Sequence, residues 1–513
     1  MIRTRFPPEP NGYLHLGHLK SIYYNFNYPF DNTQSRETNL RFDDTNSKTE
    51  KKEYADAILD DLEWLGYKPD KVFYTSDYFE EIADHTRTLI QKGLVYLDYS
   101  TSEEIKEERK TKKESPYRNT SIEETLSVFN EMLYEFNNKN PILRLKIPVE
   151  DRTNECMYDP VIYRVSDETH FRTGDKYKAY PTYEYSHYIV DSIEGITHSF
   201  CTLEFYVRRP LSFWILDKLE LPRMVIEETN RLQTDFGLLS KRKIKAALEQ
   251  GDLDGWDDPR LLTLRALKRK GFTPEILKEF CAQQGYTKNM NAVTSLESFE
   301  AVVRDNLNKE APRRMGVLNP LKVNLKGIEQ KTIKKPLYPT KEDSPELTCY
   351  IGPVVYIEKE DFRLEANKKY KRLTPLKNVR LKYAGIIKYI SHKTDENGEI
   401  IELDAEFIPE KEYDPKVKGK INGTIHWISY PSEELYATYR GKLPLTIWNY
   451  PRTGQSEDEY GTKEVTEIML DYVWGYSEPG NWQLERLGYY HIGCDRTINQ
   501  LVSLKEDPNK NKK

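Results

Sequence analysis

Residues 5–20, Arg5-Phe-Pro-Pro-Glu-Pro-Asn-Gly-Tyr-Leu-His-Leu-Gly-His-Leu-Lys20, decide how the rest of the chain is read. Ile2 and Phe6 are alternating apolar positions of a strand that runs into this stretch. Pro7, Pro8 and Pro10 then stop any ladder or helix, because each ring fixes φ and removes a donor. Asn11-Gly12 permits a sharp turn. From Leu16 the spacing is helical, with Leu19, Ile22, Tyr23 and Phe26 on one face. His15-Leu16-Gly17-His18 therefore sits at a helix start, where two imidazoles stand beside free backbone N–H groups, a place suited to phosphate. Gly17 lets a flat ring approach the backbone. A second stretch, Phe236-Gly-Leu-Leu-Ser-Lys-Arg-Lys243, puts a flexible Gly before a Ser and three cations. Alone, each reads as a solvated loop; their order and separation give the pair its weight.

The 513 residues have room for about three or four domains. With 38% hydrophobic and 31% charged residues the composition is globular, and no apolar run approaches the roughly 20 residues of a membrane span. No signal peptide is expected ahead of the first strand. Cys156, Cys201, Cys281, Cys349 and Cys494 are scattered, odd in number and without a CxxC, so neither structural zinc nor a disulfide framework is expected, and the compartment is a reducing cytosol. The net charge of −6 does not announce a nucleic-acid binder, but basic segments recur at 241–245, 265–270, 367–372 and 416–420.

Along the chain, Leu40-Arg-Phe-Asp-Asp-Thr-Asn46 reads as a second strand ending in two carboxylates. Ser47-Lys-Thr-Glu50 is a capping box for a helix marked by Tyr54, Ile58, Leu62 and Leu65. Residues 71–76 make a third strand, so the pattern is a parallel sheet with covering helices, whose ligands sit at the carboxyl ends of the strands. Residues 78–182 read as an inserted α+β domain, with a helix around 79–93, another through Leu126, Phe129 and Met132, and strands at 141–149 and 161–165. The sheet pattern resumes at 183–187 and 189–191, and 196–205 runs from a strand into a helix with Leu211, Trp214, Ile215 and Leu219 inside. Asp258-Pro259 opens a helix closing at Gly271, and Thr273-Pro274 opens one closing near Gly285. From about 317 the character is β: 379–390 alternates, Asn397-Gly398 turns, 400–407 returns, and 423–429 is a further strand. Trp427, Trp448 and Trp474 suggest the cores of two small barrels, and 505–513 is a charged tail.

These residues carry a resemblance. The first stretch, Leu40–Asn46, Glu194-Gly-Ile-Thr-His-Ser-Phe-Cys-Thr-Leu-Glu-Phe205, Leu239-Ser-Lys-Arg-Lys243 and Gly255-Trp-Asp-Asp-Pro-Arg260 resemble the glutaminyl-tRNA synthetase family of class I aminoacyl-tRNA synthetases. Asp361–Arg372 and Lys416–Trp427 extend the likeness into the β region, so it covers nearly the whole chain. The resemblance implies a multidomain α/β plus all-β fold. Its parts would be a Rossmann-like nucleotide-binding parallel sheet (1–77 and 183–231), an inserted acceptor-end domain (78–182) and a helical domain with the Ser-Lys loop (232–316). Two anticodon-binding β-barrels would follow in 317–513, the distal one at about 340–445 and the proximal one from 317–339 plus 446–504.

It also implies ATP-dependent ligation of L-glutamine to tRNA(Gln) through a glutaminyl-adenylate, with ATP as substrate, Mg2+ on its phosphates, no metal held by the protein, and a monomer. On this likeness His15, His18 and Lys241 are the catalytic contacts to the triphosphate. Glu9, Asn11, Gly17, Thr202, Arg231, Leu232, Leu239 and Ser240 bind the rest of ATP. Asp43 holds the amino acid's ammonium, Arg5 its carboxylate, and Tyr183 and Cys201 its side chain. Arg118, Lys371, Arg372, Lys416 and Lys418 contact tRNA. The related glutamyl-tRNA synthetases of eukaryotic and archaeal type usually have Arg where this chain has Cys201, and a thiol gives glutamate no counter-charge, so glutamine is preferred to the glutamate alternative. A tRNA-binding protein without catalysis is disfavoured by the presence of His15, His18 and Lys241. The chain departs from the family at 110–114, which offers no apolar wedge, at Phe205-Tyr-Val-Arg-Arg209, which lacks an acidic residue, and at Leu347, where Arg is common.

Overall fold

The computed structural model describes residues 1–29, 34–135, 141–289, 291–430, 443–449, 461–471, 479–493 and 498–504. Strands β1 (Ile2–Phe6), β2 (Arg36–Phe42) and β3 (Val72–Tyr74) form a parallel sheet in that order, Phe6 opposite Leu40 and Phe42 opposite Tyr74. Helices α1 (Leu16–Asn27) and α2 (Lys52–Trp64) cover it, packing Leu16, Leu19, Ile22, Phe26, Ile58 and Leu62 against Phe6, Leu40 and Phe42. The expected capping box before α2 is absent. Its N-cap is Lys51 with no side-chain bond, and Glu50 instead closes the 46–50 turn by accepting from Asn46 N at 3.0 Å. That turn hangs from the first stretch, because Lys51 N donates to Pro10 O and Asp43 N to Pro8 O, both at 3.0 Å.

The region from 79 holds helices α3 (Phe79–Gln91), α4 (Ser102–Thr111) and α5 (Ile122–Tyr134). With them is an antiparallel sheet of β4 (Val95–Asp98), β5 (Ile142–Leu145), β6 (Val161–Val165) and β7 (Ala179–Pro181). Residues 183–187 and 189–191, expected in the sheet, are instead helix α6 (Tyr183–Ile193), with Tyr185, Ile189 and Val190 buried. The short apolar run fits both periods, and packing on α3, α7 (Arg209–Leu219) and the antiparallel sheet decided for helix. Parallel strands β8 (His198–Thr202) and β9 (Val225–Thr229) follow, and β8 is tied to β1 where Thr197 N donates to Arg3 O at 2.9 Å.

Beyond them lie α8 (Lys241–Gln250), α9 (Leu264–Lys270), α10 (Pro274–Gln284) and α11 (Leu296–Glu310). Thr273 and Gly285 bound α10 as expected, but Asp258 caps no helix: its carboxylate folds onto Arg260, and Thr263 caps α9 eight residues before the αL Gly271. The β region makes two nearly closed barrel-like sheets. One runs Val354–Glu358, Pro320–Lys326, Ile400–Ile408, Gly385–Thr394, Val379–Leu381, Thr424–Ile425, and is joined end to end by the Tyr356–Ile428 bridge. The other runs Arg313–Arg314, Gly480–Leu484, Gly488–Ile492, Ile498–Ser503, Leu443–Asn449, Thr462–Leu470, Gly316–Val317, its first and last strands being neighbours in sequence.

Three sequence expectations are corrected here. Residues 320–326, expected with the proximal barrel, pair with 354–358 and 400–408 in the six-stranded sheet. The alternation over 379–390 is two strands, broken by a turn with Tyr383 at φ 66°. The strand expected at 423–429 is only Thr424–Ile425. Trp427 is buried in the six-stranded core; Trp448 lies on a strand, its side chain outside what is described, and Trp474 and 505–513 lie outside the described residues.

What binds α6 to the parallel strands is a buried charge network. Arg5 Nε and Nη2 donate to the two oxygens of Asp191 at 2.9 Å, and Arg41 Nη1 meets Asp191 at 2.7 Å and Glu194 at 3.2 Å. All four side chains are essentially out of solvent. Burial alone would raise the Asp191 carboxyl, but Arg5 and Arg41 hold it well below the usual carboxylate range. Asp191→Asn takes the shared counter-charge from two buried guanidiniums and is expected to destabilise the protein by about 3–5 kcal/mol in urea unfolding. A loss under about 1 kcal/mol would mean that apolar packing alone holds α6 in place.

Candidate active site

The first stretch is clamped on both sides. Leu16 N donates to Leu262 O at 2.8 Å, Leu264 N to Leu14 O at 2.9 Å, and His15 forms an antiparallel bridge with Thr263. His15 is the N-cap of α1 in an extended conformation (φ −139°, ψ 173°). Its Nδ1 accepts from Gly17 N at 3.0 Å, while His15 N donates to His18 Nδ1 at 3.2 Å, a capping box made of two imidazoles with ring centroids 4.0 Å apart. An Nδ1 that accepts carries no proton, so each neutral ring holds its proton on Nε2 and can offer that N–H as a donor. Burial, with Lys241 and Arg231 nearby, pushes His15 down to about 3, and burial with His15 beside it holds His18 well below its ordinary value.

The free backbone N–H groups expected here are not free: those of Leu16, Gly17 and His18 go to Leu262 O, His15 Nδ1 and His15 O. What the helix start presents is its dipole and two imidazole donors. The ring that comes close to Gly17 is that of His15, since a Cβ added there would lie 2.8 Å from His15 Cε1.

Lys241, first residue of α8, returns across 230 residues to donate from Nζ to Asn11 Oδ1 at 2.6 Å. A Cβ on Gly12 would stand 3.1 Å from its Cδ and Cε, so the missing side chain of Gly12 is the path by which Lys241 enters. Burial lowers the Lys241 ammonium, against the pull of Glu9.

These groups line one cavity of about 370 Å³, shared by Glu9, Asn11, His15, Gly17, His18, Tyr183, Cys201, Thr202, Arg231, Leu232 and Lys241. Thr202 Oγ1 is buried with no hydrogen-bond partner among the described residues, a polar atom on the cavity wall left for a ligand. Tyr183 has Asp43, Arg5 and Cys201 as electrostatic neighbours, and burial raises its phenol well above the ordinary value. Burial pushes the Cys201 thiol up to about 12, so it too is neutral.

Arg5, Asp43, Leu239 and Ser240 are not on the cavity lining. Asp43 is fully buried, and its Oδ2 has no hydrogen-bond partner among the described residues, with His187 Nδ1 at 3.5 Å. Arg5 lacks the open fork expected of a carboxylate clamp: Nε and Nη2 are spent on Asp191, His187 and Ser199, and only Nη1, at 3.4 Å from Phe200 O, has capacity to spare. Leu239 packs on the core and Ser240 is the N-cap of α8 without a side-chain bond.

The expected tRNA contacts divide. Arg118 is turned inward, on Asp159 at 2.7 Å and Ile147 O at 2.8 Å, and cannot meet a phosphate without giving these up. Lys371 and Lys416 are exposed at one end of the six-stranded sheet, where Asn422 ties their loops by donating to Tyr370 O and Arg372 O. Arg372 is ion-paired with Asp361 at 2.9 Å, the Lys418 side chain is outside what is described, and Leu347 is a buried core residue. The sequence reading missed Lys20, Ser21, Tyr24, Phe200 and Asn230, all on the cavity wall. The signal was there: Gly17, Lys20, Ser21 and Tyr24 share one helix face, polar beside the apolar stripe of Leu16, Leu19, Ile22 and Phe26.

Comparison with known proteins gives a consistent result. The family model for tRNA synthetases class I (E and Q), catalytic domain, matches residues 1–309, and that for the anti-codon binding domain matches 311–408. The chain is 40% identical to a glutamine–tRNA ligase of Vibrio parahaemolyticus over 98% of its own length and 92% of that protein. It is 39% identical to one of Clostridium perfringens, covering 98% and 94%, and 38% identical to one of Lupinus luteus, covering 98% and 64%.

The two depressed imidazoles tie stability to pH. The unfolded chain protonates them near 6.5, while folded His15 stays neutral until about 3 and burial holds His18 well below its ordinary value. Their contribution is whole above pH 6.5 and is lost as pH falls, by about 1.4 kcal/mol per pH unit for each ring. Urea titrations between pH 6.5 and 5 are expected to flatten by about one such step in His18→Asn. An unchanged slope would mean that His18 titrates normally in the folded protein.

Proposed function

The chain belongs to the class I tRNA synthetases for glutamate and glutamine, and from that premise we infer that it ligates L-glutamine to its cognate tRNA at the expense of ATP. The near full-length likeness to glutamine–tRNA ligases supports the reaction. The observation that carries the choice of glutamine over glutamate is the neutral pair on the cavity wall, the Tyr183 phenol and the Cys201 thiol held up at about 12.

The geometry supports the following division of labour. The glutamine carboxylate attacks the α-phosphorus of ATP, pyrophosphate leaves, and the acyl group then passes to a hydroxyl of the terminal tRNA ribose while AMP leaves. No covalent enzyme intermediate is required, so alignment and charge stabilisation do the catalytic work. His15 and His18 donate Nε2–H to phosphate oxygens without needing to be protonated, so their weak basicity is no handicap. Lys241, steered through the gap at Gly12, meets the charge that shifts onto pyrophosphate, with Asn11 holding Nζ until the phosphates arrive. Thr202 Oγ1 suits a ribose hydroxyl, and Leu232 with the stem of Arg231 suits an adenine face.

At the amino-acid end, the unpartnered Oδ2 of Asp43 suits the α-ammonium, and Arg5 contributes through Nη1 and its charge from beneath rather than as a fork. Mg2+ enters as the companion of ATP. Among the described residues no group of three or more His, Cys, Asp or Glu side chains is placed to hold a metal ion, and no step is assigned to one. Lys371, Arg372 and Lys416 form the anticodon-facing surface that the family suggests.

Lys241→Ala is expected to lower the turnover of adenylate formation by roughly 3–4 kcal/mol in barrier terms, with a smaller rise in KM for ATP, because its charge acts as the leaving group forms. Near-normal turnover with only KM raised would remove that role. Aminoacylation with glutamine and glutamate tests specificity. Cys201→Arg supplies the missing counter-charge and crowds the amide, so kcat/KM for glutamine falls and glutamate use becomes measurable. The swing is partial, because Tyr183 still suits an amide. A glutamine-to-glutamate ratio that does not move would make Cys201 a packing residue.

A further inference from the structure

Lys20 is a buried cation that no role above uses. It is 3% exposed, lines the cavity, and among the described residues has no ion-pair partner. Its Nζ donates to Asn230 Oδ1 and stands 5.5 Å from the centroid of the Tyr24 ring. The Cys281 thiol is a further electrostatic neighbour, and burial keeps it protonated. An ammonium out of water with one amide oxygen and one ring face is under-satisfied, because it has three N–H donors.

Its place in the cavity says what could satisfy it. The wall contributed by α1 runs along one helix face from Gly17 through Lys20 and Ser21 to Tyr24, a length of about 10 Å at 1.5 Å per residue. His15 and His18, with Lys241 near them, stand at the N-terminal, outer end of that face; Lys20 stands further along it, towards the inner end, beside Tyr24 and Asn230. Tyr24 and Phe200 have ring centroids 6.3 Å apart and give that end flat apolar surface. A triphosphate at the outer end puts the base of the same nucleotide at the inner one. A purine presents in-plane ring nitrogens that accept hydrogen bonds, and Lys20 is a donor only.

We infer that Lys20 reads the nucleobase: its ammonium donates to a ring nitrogen of the purine, with Asn230 holding Nζ in place from the other side. This rests on the ATP-dependent reaction proposed above. It adds a specificity-determining residue, and it explains why a cation is kept in the cavity wall without a carboxylate.

The test is a chemical double-mutant cycle on pyrophosphate exchange by the full-length protein with glutamine and tRNA. ATP is compared with its 1-deaza, 3-deaza and 7-deaza analogues in wild type, Lys20→Met and Lys20→Arg. One analogue is expected to lose about 10- to 100-fold in kcat/KM with wild type, the size of a hydrogen bond to a charged donor. Lys20→Met is expected to lose a similar factor with ATP and little more with that analogue, while Lys20→Arg keeps most of the discrimination. Penalties that simply multiply for all three analogues would make Lys20 a brace for Asn230 and overturn the inference. Should Lys20→Met not fold, Lys20→Gln replaces it, and a wild-type enzyme indifferent to all three deaza analogues overturns the inference by itself. A wild type that turns over ATP with glutamine but fails the cycle leaves the reaction standing; one with no glutamine-dependent exchange overturns both.

Discussion

The short antiparallel contact between 14–16 and 262–264 is the constraint on which the site depends. It takes the backbone donor of Leu16 at the start of α1, while the His15 and His18 rings accept the N–H groups of Gly17 and His15, and His18 N turns back to His15 O. A helix start must place its orphan donors somewhere. Here the placement fixes two tautomers and turns both Nε2 protons into available donors. The same contact brings the segment that follows α8 against the first stretch, so that Lys241 and the imidazoles belong to one wall although 230 residues separate Asn11 from Lys241. Gly12 and Gly17 are the two points where this crowding leaves no room for a Cβ, one for the lysine stem and one for the His15 ring.

Beneath that wall lies an expensive foundation. Arg5, Arg41, Asp191 and Glu194 are out of water, with His187 between the arginines, one ring nitrogen facing each. Well-packed apolar residues of similar volume would often serve stability as well or better. What ions supply is position: two guanidiniums on one carboxylate fix α6 relative to β1 and β2, and thereby Tyr183 relative to Asp43. Beside this network, with His187 Nδ1 at 3.5 Å, the Oδ2 of Asp43 has no hydrogen-bond partner among the described residues.

The sequence made some of this legible and some not, for physical reasons. The strand–turn–helix of the first stretch, α10 between Thr273 and Gly285, and the Asn397-Gly398 hairpin could be read because caps and turn residues act locally. Residues 183–193 could not, since a short apolar run fits two periods and only tertiary packing chose the helix. The placement of 320–326 in the six-stranded sheet depends on partners 30 and 80 residues away, which no local signal names. Among site residues, His15, His18, Gly17 and Lys241 carry motifs, whereas Lys20 was hidden as an ordinary polar position on an amphipathic helix. The burial of Arg5 was not legible, because its partner Asp191 is 186 residues on.

The same physics bears on the ion pair of Arg372. Asp361 is buried, and a carboxylate left alone there would be costly. It has two arginines, however. Arg372 meets it at 2.9 Å from the loop between Val354–Glu358 and Val379–Leu381 of the six-stranded sheet, and Arg486 meets it twice, at 2.7 and 2.8 Å, from the turn between Gly480–Leu484 and Gly488–Ile492 of the other sheet. Arg486 holds a left-handed conformation (φ 67°) to do so, and beside it Glu485 receives Lys382 and Tyr383 across the same joint. The fork from Arg486 keeps Asp361 compensated whatever Arg372 does. Arg372, about a third exposed, can therefore exchange Asp361 for a phosphate or a base edge without stranding a buried charge, and the joint between the two sheets survives the exchange. A single arginine on Asp361 could not turn away without stranding a buried carboxylate.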